Sequence, residues 1–170
     1  MSEPKAVSAI PTKILVPIDF SPSSHAALDT AAELAERFGA EVFLITVILE
    51  FPERSLPDTI TETTVMERAT EVAAERFAVS EAALSANGIR VSSSVEVGSD
   101  EAGTILAAIE REKADLVVIT THGLSGWYPL VFGSVAEKLV KLVQCPLLLL
   151  RTPKPESGAK DSARRPVEWW

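Results

Sequence analysis

The chain has 170 residues, near the usual size of one domain, and its hydrophobic content of 46% is enough to build a full core. Its 16 basic and 24 acidic residues give a net charge of −8, so the surface repels a phosphate backbone and no nucleic acid partner is expected. No apolar run reaches the roughly 18 residues that a membrane span requires, and the first residues lack the apolar core of a secretory signal. We therefore expect a cytoplasmic protein that does not bind membranes.

Few residues are available for metal or disulfide chemistry. The chain contains one cysteine, Cys145, and two histidines, His25 and His122. One cysteine cannot form an internal disulfide, and these three side chains do not make a plausible zinc site. Cys145 lies between a helical pattern and an apolar run, which favours a buried structural thiol. The sequence predicts no metal site.

Apolar runs alternate with helical patterns along the whole chain. The runs predict five strands, at 14–18, 42–48, 89–97, 115–120 and 146–150. The helical patterns predict four helices, the first over about 22–38, the second ending before 87–88, the third starting near 99–101 and the fourth at 134. The first helix has clear boundaries, since Ser21 and Pro22 provide an N-cap and a first-turn proline, and Gly39 closes it.

This alternation predicts the fold class. Parallel strands joined by helical crossovers of about a dozen or more residues place helices on both faces of the sheet. We therefore expect a doubly wound α/β fold with a five-stranded parallel sheet and about four helices. The predicted domain spans 13–151, between a flexible N-terminal arm, 1–12, and a flexible C-terminal tail, 152–170, because both ends lack an apolar pattern.

Two segments at predicted strand ends carry residues suited to ligand binding. Asp19 follows the first strand, and the loop from Gly123 to Ser134 joins the fourth strand to the fourth helix. In an open parallel sheet, ligands bind beyond the carboxyl ends of the strands, where the winding reverses. If the first and fourth strands flank that point, the two segments face each other and form a pocket.

The residue types of this pocket suit a nucleotide. Gly123 and Gly133 let backbone amides approach an anion, the first amides of the fourth helix favour phosphate, and Ser134 adds a hydroxyl donor. The carboxylate of Asp19 repels phosphate but accepts hydrogen bonds from ribose hydroxyls or an adenine amine. The chain has no Gly-Lys-Ser/Thr triplet, so it is not a P-loop protein.

Each of these residues also has a purely structural interpretation. Ser134 and Glu137 match a capping box at the start of the fourth helix. Asp19 can cap the first helix or bond the turn over 21–24. His122 would serve as the base of a serine hydrolase, but the chain has no Gly-x-Ser-x-Gly elbow and no third member can be named. We therefore predict no catalytic residue.

Four motifs together resemble those of the universal stress proteins. They are VPIDFSPSS at 16–24, ADLVVITTHG at 114–123, FGSVAE at 132–137 and CPLLL at 145–149, and the likeness covers 13–151. The resemblance implies a Rossmann-like sheet of five strands in the order 3-2-1-4-5 and a homodimer. In one branch of the family it also implies an ATP site with the signature Gly, two residues, Gly, nine residues, Gly-Ser/Thr.

The resemblance assigns roles to residues of this chain. It implies that Pro17 and Val47 contact the adenine and that Asp19 binds the ribose. Ile119 and Thr120 at the end of the fourth strand complete the nucleotide site, with phosphate ligands at Gly123, Gly133, Ser134, Val135 and Ala136. The expected cofactor is ATP or a related adenine nucleotide, which Mg²⁺ can accompany.

One position departs from the ATP signature. Gly123 and Gly133-Ser134 match it, but Thr120 stands where the first glycine belongs. A β-branched side chain there crowds the place where the strand passes close to the nucleotide. Two functions therefore stay open: a stress-response or signalling protein that binds an adenine nucleotide, and a dimeric interaction protein of the same fold that binds none.

The last strand predicts how two copies associate. Four consecutive leucines follow Pro146, and a final strand at the sheet edge would expose them to aggregation. The fourth helix can bury these leucines within the subunit, and a second copy of the chain is a natural cover for the strand edge; both can hold, and we expect a homodimer through 146–151. The expected activity is binding rather than turnover, because no carboxylate pair is placed for hydrolysis and any ATP hydrolysis would be slow.

Overall fold

The computed structural model describes residues 10–50, 62–121 and 133–151. In this part of the chain five strands alternate with four helices: β1 Lys13–Pro17, α1 Pro22–Phe38, β2 Glu41–Leu49, α2 Glu62–Ala86, β3 Val91–Gly98, α3 Glu101–Glu112, β4 Leu116–Thr120, α4 Ser134–Leu142 and β5 Leu147–Leu150. The strand ends lie within two residues of those predicted. Most of the arm, the tail and the loop containing Gly123 lie outside the described residues, so the predicted domain boundaries stay a prediction.

The strands form one parallel sheet in the order β3-β2-β1-β4-β5. The predicted doubly wound fold and its strand order are therefore confirmed. The chain first winds outward from β1 to β3 and then crosses to β4 and β5 on the other side of β1. The winding thus reverses between β1 and β4, where this class of fold binds its ligands.

The helices cover the two faces of the sheet and bury two cores. The first core lies beneath α1 and α2 and contains Ile14, Val16, Leu28, Ala31, Leu44, Phe77 and Val118. The second core lies beneath α3 and α4 and contains Leu15, Phe43, Ile45, Ile105, Val117, Ile119 and Leu139. Successive residues of the central strands belong to different cores because side chains alternate between the faces of a strand. Burial on both faces explains why these strands read as unbroken apolar runs.

The predicted boundaries of α1 are confirmed at both ends. The Ser21 hydroxyl accepts a hydrogen bond from the N–H of Ser24 at 3.1 Å, and Pro22 opens the first turn. Gly39 closes the helix with φ 70°, a left-handed conformation that glycine adopts at little cost. These caps fix the start of α1 directly after β1 and thereby fix the segment that carries Asp19.

Candidate functional site

The ladder between β1 and β4 stops before either strand ends. Its last pair is Leu15 opposite Val117. β1 stays paired with β2 as far as Pro17, and β4 stays paired with β5 as far as Thr120. The two central strands therefore separate toward their carboxyl ends. This crevice lies at the reversal of winding, where the sequence predicted a pocket.

Asp19 lies at the β1 side of the crevice and is held by the turn that follows. Its Oδ1 accepts hydrogen bonds from the Ser21 N–H at 3.0 Å and from the Ser21 hydroxyl at 2.6 Å. The structural interpretation, in which Asp19 bonds this turn, is therefore confirmed for one carboxylate oxygen. A carboxylate offers about four lone-pair sites, so these bonds are compatible with ligand binding.

The start of α4 lies at the β4 side of the crevice. The N–H of Gly133 donates to the carbonyl oxygen of Thr121 at 2.9 Å, which joins the helix start to the end of β4. A Cβ at Gly133 would lie 3.3 Å from that same oxygen, so the close approach favours glycine. Helix geometry leaves the N–H groups over 134–136 without intrahelical acceptors, and such a helix start favours an anion.

The predicted capping box at this helix start is wrong. The N-cap is Gly133, which has no side chain, and no capping bond from a side chain is found among the described residues. Ser134 is already the first helical residue, so its hydroxyl is not at the position from which a cap bonds the N3 amide. Glu137 pairs instead with Lys141 at 2.6 Å, one turn further along α4.

The other predicted site residues differ in exposure. Pro17 and Val47 are half-buried and lie at or near the carboxyl ends of neighbouring strands. Ile119 and Thr120 are 7% and 8% exposed and lie on opposite faces of the sheet, because adjacent strand residues alternate. At the start of α4, Ser134 is exposed, Val135 is half-buried and Ala136 is buried. Gly123 lies outside the described residues.

Sequence reasoning missed one acidic group beside Asp19. Glu101, the first residue of α3, follows the carboxyl end of β3 and is half-buried. Its burial, and secondly the negative charge of Asp19, raise the pKa of the Glu101 carboxyl. The residues at 99–101 were used above only to mark the start of the third helix; the available signal was the place of Glu101 after a strand end, like that of Asp19.

A second pair of charges joins the helices over this face. Asp100, the N-cap of α3, pairs with Lys138 of α4 at 2.5 Å. The hydrogen bond from Lys138 lowers the pKa of the Asp100 carboxyl.

The two sides of the crevice differ in polarity. The β1 side is acidic, with Asp19 and Glu101, and the other side carries the backbone amides at the start of α4. Such an arrangement matches a ligand with hydrogen-bond donors at one end and an anion at the other.

Fold and crevice define a Rossmann-like α/β protein with a candidate binding site between its central strands. The sequence model of the universal stress protein family matches residues 11–151. Universal stress protein MJ0531 of Methanocaldococcus jannaschii is 32% identical over 144 residues, which cover 85% of this chain and 84% of that protein. YxiE of Bacillus subtilis is 30% identical over 157 residues, covering 82% of this chain and 98% of that protein. The chain belongs to the universal stress protein family.

Solved structures show the same fold. The hypothetical protein MJ0577 has a TM-score of 0.75 and 26% identity, covering 86% of this chain and 100% of its own. A universal stress protein in complex with cAMP has a TM-score of 0.58 at 20% identity and covers 84% of this chain and 98% of its own. One from Archaeoglobus fulgidus in complex with dAMP has a TM-score of 0.57 at 21% identity and covers 82% and 98%.

Two features are absent from the described residues. No helix there is long and apolar enough to cross a membrane. In the same ranges, 10–50, 62–121 and 133–151, no group of three or more histidine, cysteine, aspartate or glutamate side chains is placed to hold a metal ion.

Proposed function

We propose that this protein binds an adenine nucleotide, ATP or a relative of it, and acts in a cytoplasmic stress response or in signalling. One observation carries the proposal: the Asp19 carboxylate and the start of α4 flank the crevice in which β1 and β4 are no longer paired. Family members of the same fold that hold cAMP and dAMP support an adenine ligand.

In this proposal the two sides of the crevice bind different parts of the nucleotide. Asp19 accepts hydrogen bonds from the ribose hydroxyls, while Pro17 and Val47 contact the adenine face. The amides over 134–136 and the Ser134 hydroxyl donate to phosphate oxygens, and Gly123 and Gly133 let the backbone come close. Ile119 and Thr120 form the β4 wall. Any Mg²⁺ would bind through the phosphates.

The proposal is tested by isolating the protein gently, releasing any bound nucleotide with acid and identifying it by mass spectrometry. The stripped protein is then titrated by calorimetry with ATP, cAMP and AMP, and with inorganic triphosphate as a control for the anion alone. We expect an adenine nucleotide to bind and triphosphate to bind more weakly. No retained nucleotide and no heat at millimolar concentration of any of the three would overturn the proposal.

The second candidate function is a dimeric interaction protein that binds no nucleotide. Thr120 favours it, because its buried, β-branched side chain stands where the ATP signature has glycine. The same titrations separate the two functions, since the interaction protein gives no heat with any nucleotide. Restoring glycine at position 120 then tests whether the side chain is the cause.

We also propose that the protein is a homodimer through 146–151 and that its activity is binding without efficient turnover. The half-buried leucines of β5 support the dimer, since they lie on an edge strand that has β4 on one side only. Incubation with ATP, followed by chromatography for ADP, tests the second point. Rapid release of ADP, abolished together with binding in Asp19→Ala, would show that the protein is an ATPase.

A further inference from the structure

Phe20 has an unusual backbone conformation. Among the described residues two non-glycine residues have positive φ, Phe20 at 59° and Lys113 at 57°. Lys113 is the C-cap of α3, where a left-handed residue commonly ends a helix. Phe20 ends no helix, and its Cβ makes this conformation unfavourable. Such strain persists only where surrounding contacts hold it, and it occurs often at functional sites.

The strained residue lies at the centre of the turn that orients Asp19. The carboxylate of Asp19 bonds the N–H and the hydroxyl of Ser21, and Phe20 is the residue between them. The backbone angles of Phe20 therefore decide where the Asp19 carboxylate lies relative to Ser21 and to the crevice.

Contacts from α2 hold the side chain of Phe20 in place. Its ring centroid lies 5.2 Å from that of Phe77 at an interplanar angle of 49°, which is a favourable tilted arrangement. The guanidinium of Arg76 lies 5.1 Å from the Phe20 ring centroid, within cation–π range. Phe77 is 1% exposed in the first core, so the ring is anchored on a rigid part of the molecule.

We propose that Phe20 is a positioning residue for the nucleoside end of the site. Its ring, held by Arg76 and Phe77, keeps the backbone in the left-handed conformation that aims the Asp19 carboxylate at the ribose. This inference rests on the proposed adenine-nucleotide function. It makes α2, which contributes none of the site residues named above, the element that enforces recognition of ribose hydroxyls.

The test compares ATP with 2′,3′-dideoxy-ATP, which lacks both ribose hydroxyls. We expect the native protein to prefer ATP by about tenfold or more, and Asp19→Ala to lose this preference. Phe20→Gly, which adopts the same backbone freely but has no ring, should lose at least two thirds of the preference, whereas Phe20→Tyr should retain it. A general loss of stability would weaken the binding of ATP and of the dideoxy analogue equally and would leave the preference unchanged. An unchanged preference in Phe20→Gly would overturn the inference.

A second measurement needs no nucleotide. Hydrogen exchange of the Ser21 amide, followed by NMR, reports directly on its bond to Asp19. We expect Phe20→Gly to accelerate it at least tenfold relative to the Ala31 amide in α1, and Phe20→Tyr to leave it unchanged. Equal exchange in native and Phe20→Gly protein would overturn the inference even if ATP binds. If Phe20→Gly does not fold, Phe20→Leu replaces it, since leucine keeps apolar bulk without an aromatic ring.

The two measurements separate the two proposals. A native protein that binds no nucleotide overturns the proposed function, and the Ser21 exchange rate then decides alone whether Phe20 holds Asp19. A native protein that binds ATP, with preference and exchange both insensitive to Phe20→Gly, leaves the function standing and overturns the role of Phe20.

Discussion

At the scale of single residues, Thr120 has the most direct influence on nucleotide affinity. It ends β4 opposite Leu150, at the place where β4 has left β1, and it is 8% exposed. Its side chain lies on the same face as Val118, which belongs to the first core. A residue so tightly enclosed has little room to move away from a ligand that passes close to its backbone.

We expect Thr120→Gly to strengthen ATP binding by about tenfold, because relief of overpacking is worth roughly 1–3 kcal/mol. The same change should lower the free energy of unfolding by about 1–2 kcal/mol, since a glycine within a strand loses packing and gains chain entropy on unfolding. Calorimetry and urea denaturation measure the two effects. Thr120→Ser, which keeps the hydroxyl and removes the methyl, is the control and should change affinity less. An unchanged affinity in Thr120→Gly would show that the side chain does not crowd the nucleotide.

A second prediction at the scale of single residues concerns Glu101 and the stability of the folded protein. Burial and the charge of Asp19 raise the pKa of Glu101 above 4.5 in the folded protein. The folded state therefore disfavours the ionised form, and this group costs stability once the pH rises above its ordinary pKa. We expect Glu101→Gln to raise the midpoint of thermal unfolding at pH 7.

The gain in stability from Glu101→Gln should shrink as the pH falls below 4.5, where the native carboxyl is protonated in both the folded and the unfolded protein. Glu110→Gln, an exposed substitution on the same helix, is the matched control and should show little change. A Glu101→Gln protein that is less stable than native at pH 7 would contradict a raised pKa of Glu101 in the folded protein.

At the scale of elements, β1 and β4 are joined firmly at their amino ends and separate at their carboxyl ends. Asp115, just before β4, accepts hydrogen bonds from the N–H of Thr12 and of Lys13 at 2.9 Å each, and from the Thr12 hydroxyl at 2.6 Å. The N–H of Asp115 donates to the Lys13 carbonyl oxygen at 3.0 Å. These hydrogen bonds among Thr12, Lys13 and Asp115 form a clamp that sets the register of the two strands. The crevice opens at the other end of the strands.

The clamp predicts a pH-dependent loss of stability. Burial opposes ionisation of Asp115, but the bonds from Thr12 and Lys13 outweigh it and lower its pKa below 3.8. The ionised carboxylate therefore stabilises the fold above that value, and this contribution is lost as the pH falls through the lowered pKa. We expect Asp115→Asn to reduce the free energy of unfolding by about 1–3 kcal/mol at pH 7, as for other hydrogen bonds to charged groups.

Urea denaturation at pH 7 and at stepped acid pH checks the role of Asp115. The difference between native and Asp115→Asn protein should narrow as the solution is acidified below 3.8. Asp29→Asn, on the exposed side of α1, serves as the control and should match the native protein. A difference that stays constant with pH would mean that the charge of Asp115 is not what stabilises the clamp.

The elements themselves were predictable because each signal was local. Burial on both faces makes β1 and β4 unbroken apolar runs, and the ends of α1 are marked by the capping hydroxyl of Ser21 and by the left-handed backbone that glycine allows at Gly39. The start of α4 was predicted at the right residue but with the wrong cap, since Ser134 and glycine are both common near helix starts. The approach of Gly133 to the Thr121 carbonyl, which selects glycine, comes from tertiary structure.

The site was predictable only in part for the same reason. The position of Asp19 after β1 followed from the strand pattern, but its bonds to Ser21 depend on the conformation of Phe20. That conformation depends on a residue of α2 far along the chain, Phe77, which sequence spacing does not connect to Asp19. The acidic neighbour Glu101 was missed likewise, since β1, β2 and β3 must assemble before the charges of Asp19 and Glu101 act on each other.

At the scale of the whole molecule, the two edges of the sheet differ in ways that bear on assembly. β3 carries a charged residue in its strand, Glu96, which pairs with Arg111 at 2.8 Å, and charges on an edge strand discourage pairing with another chain. β5 consists of leucine alone and is half-buried throughout. The proposed dimer therefore uses β5.

Backbone geometry in β5 shows how the proposed dimer can be broken without unfolding the subunit. The carbonyl oxygens of Pro146 and Leu150 point toward β4. They accept hydrogen bonds from the N–H of Val117 at 2.9 Å and from the N–H of Thr121, the residue after β4, at 3.0 Å. Backbone groups of alternate strand residues point to opposite sides, so the N–H of Leu148 points toward β4 and that of Leu149 points outward. A proline is tolerated in an edge strand only where the missing N–H faces away from the sheet.

We expect Leu149→Pro to give a folded monomer, because it removes an outward donor that a second β5 would need. Leu149→Ala loses a similar amount of side-chain packing but keeps the N–H, so it should remain dimeric. Leu148→Pro should unfold the subunit, because it removes a donor to β4. Sedimentation velocity measures the mass and circular dichroism the fold. A dimer that persists in Leu149→Pro would place the interface elsewhere, and a native protein that is monomeric at about 100 µM would rule out a stable dimer altogether, since that concentration lies well above the dissociation constants of specific protein complexes.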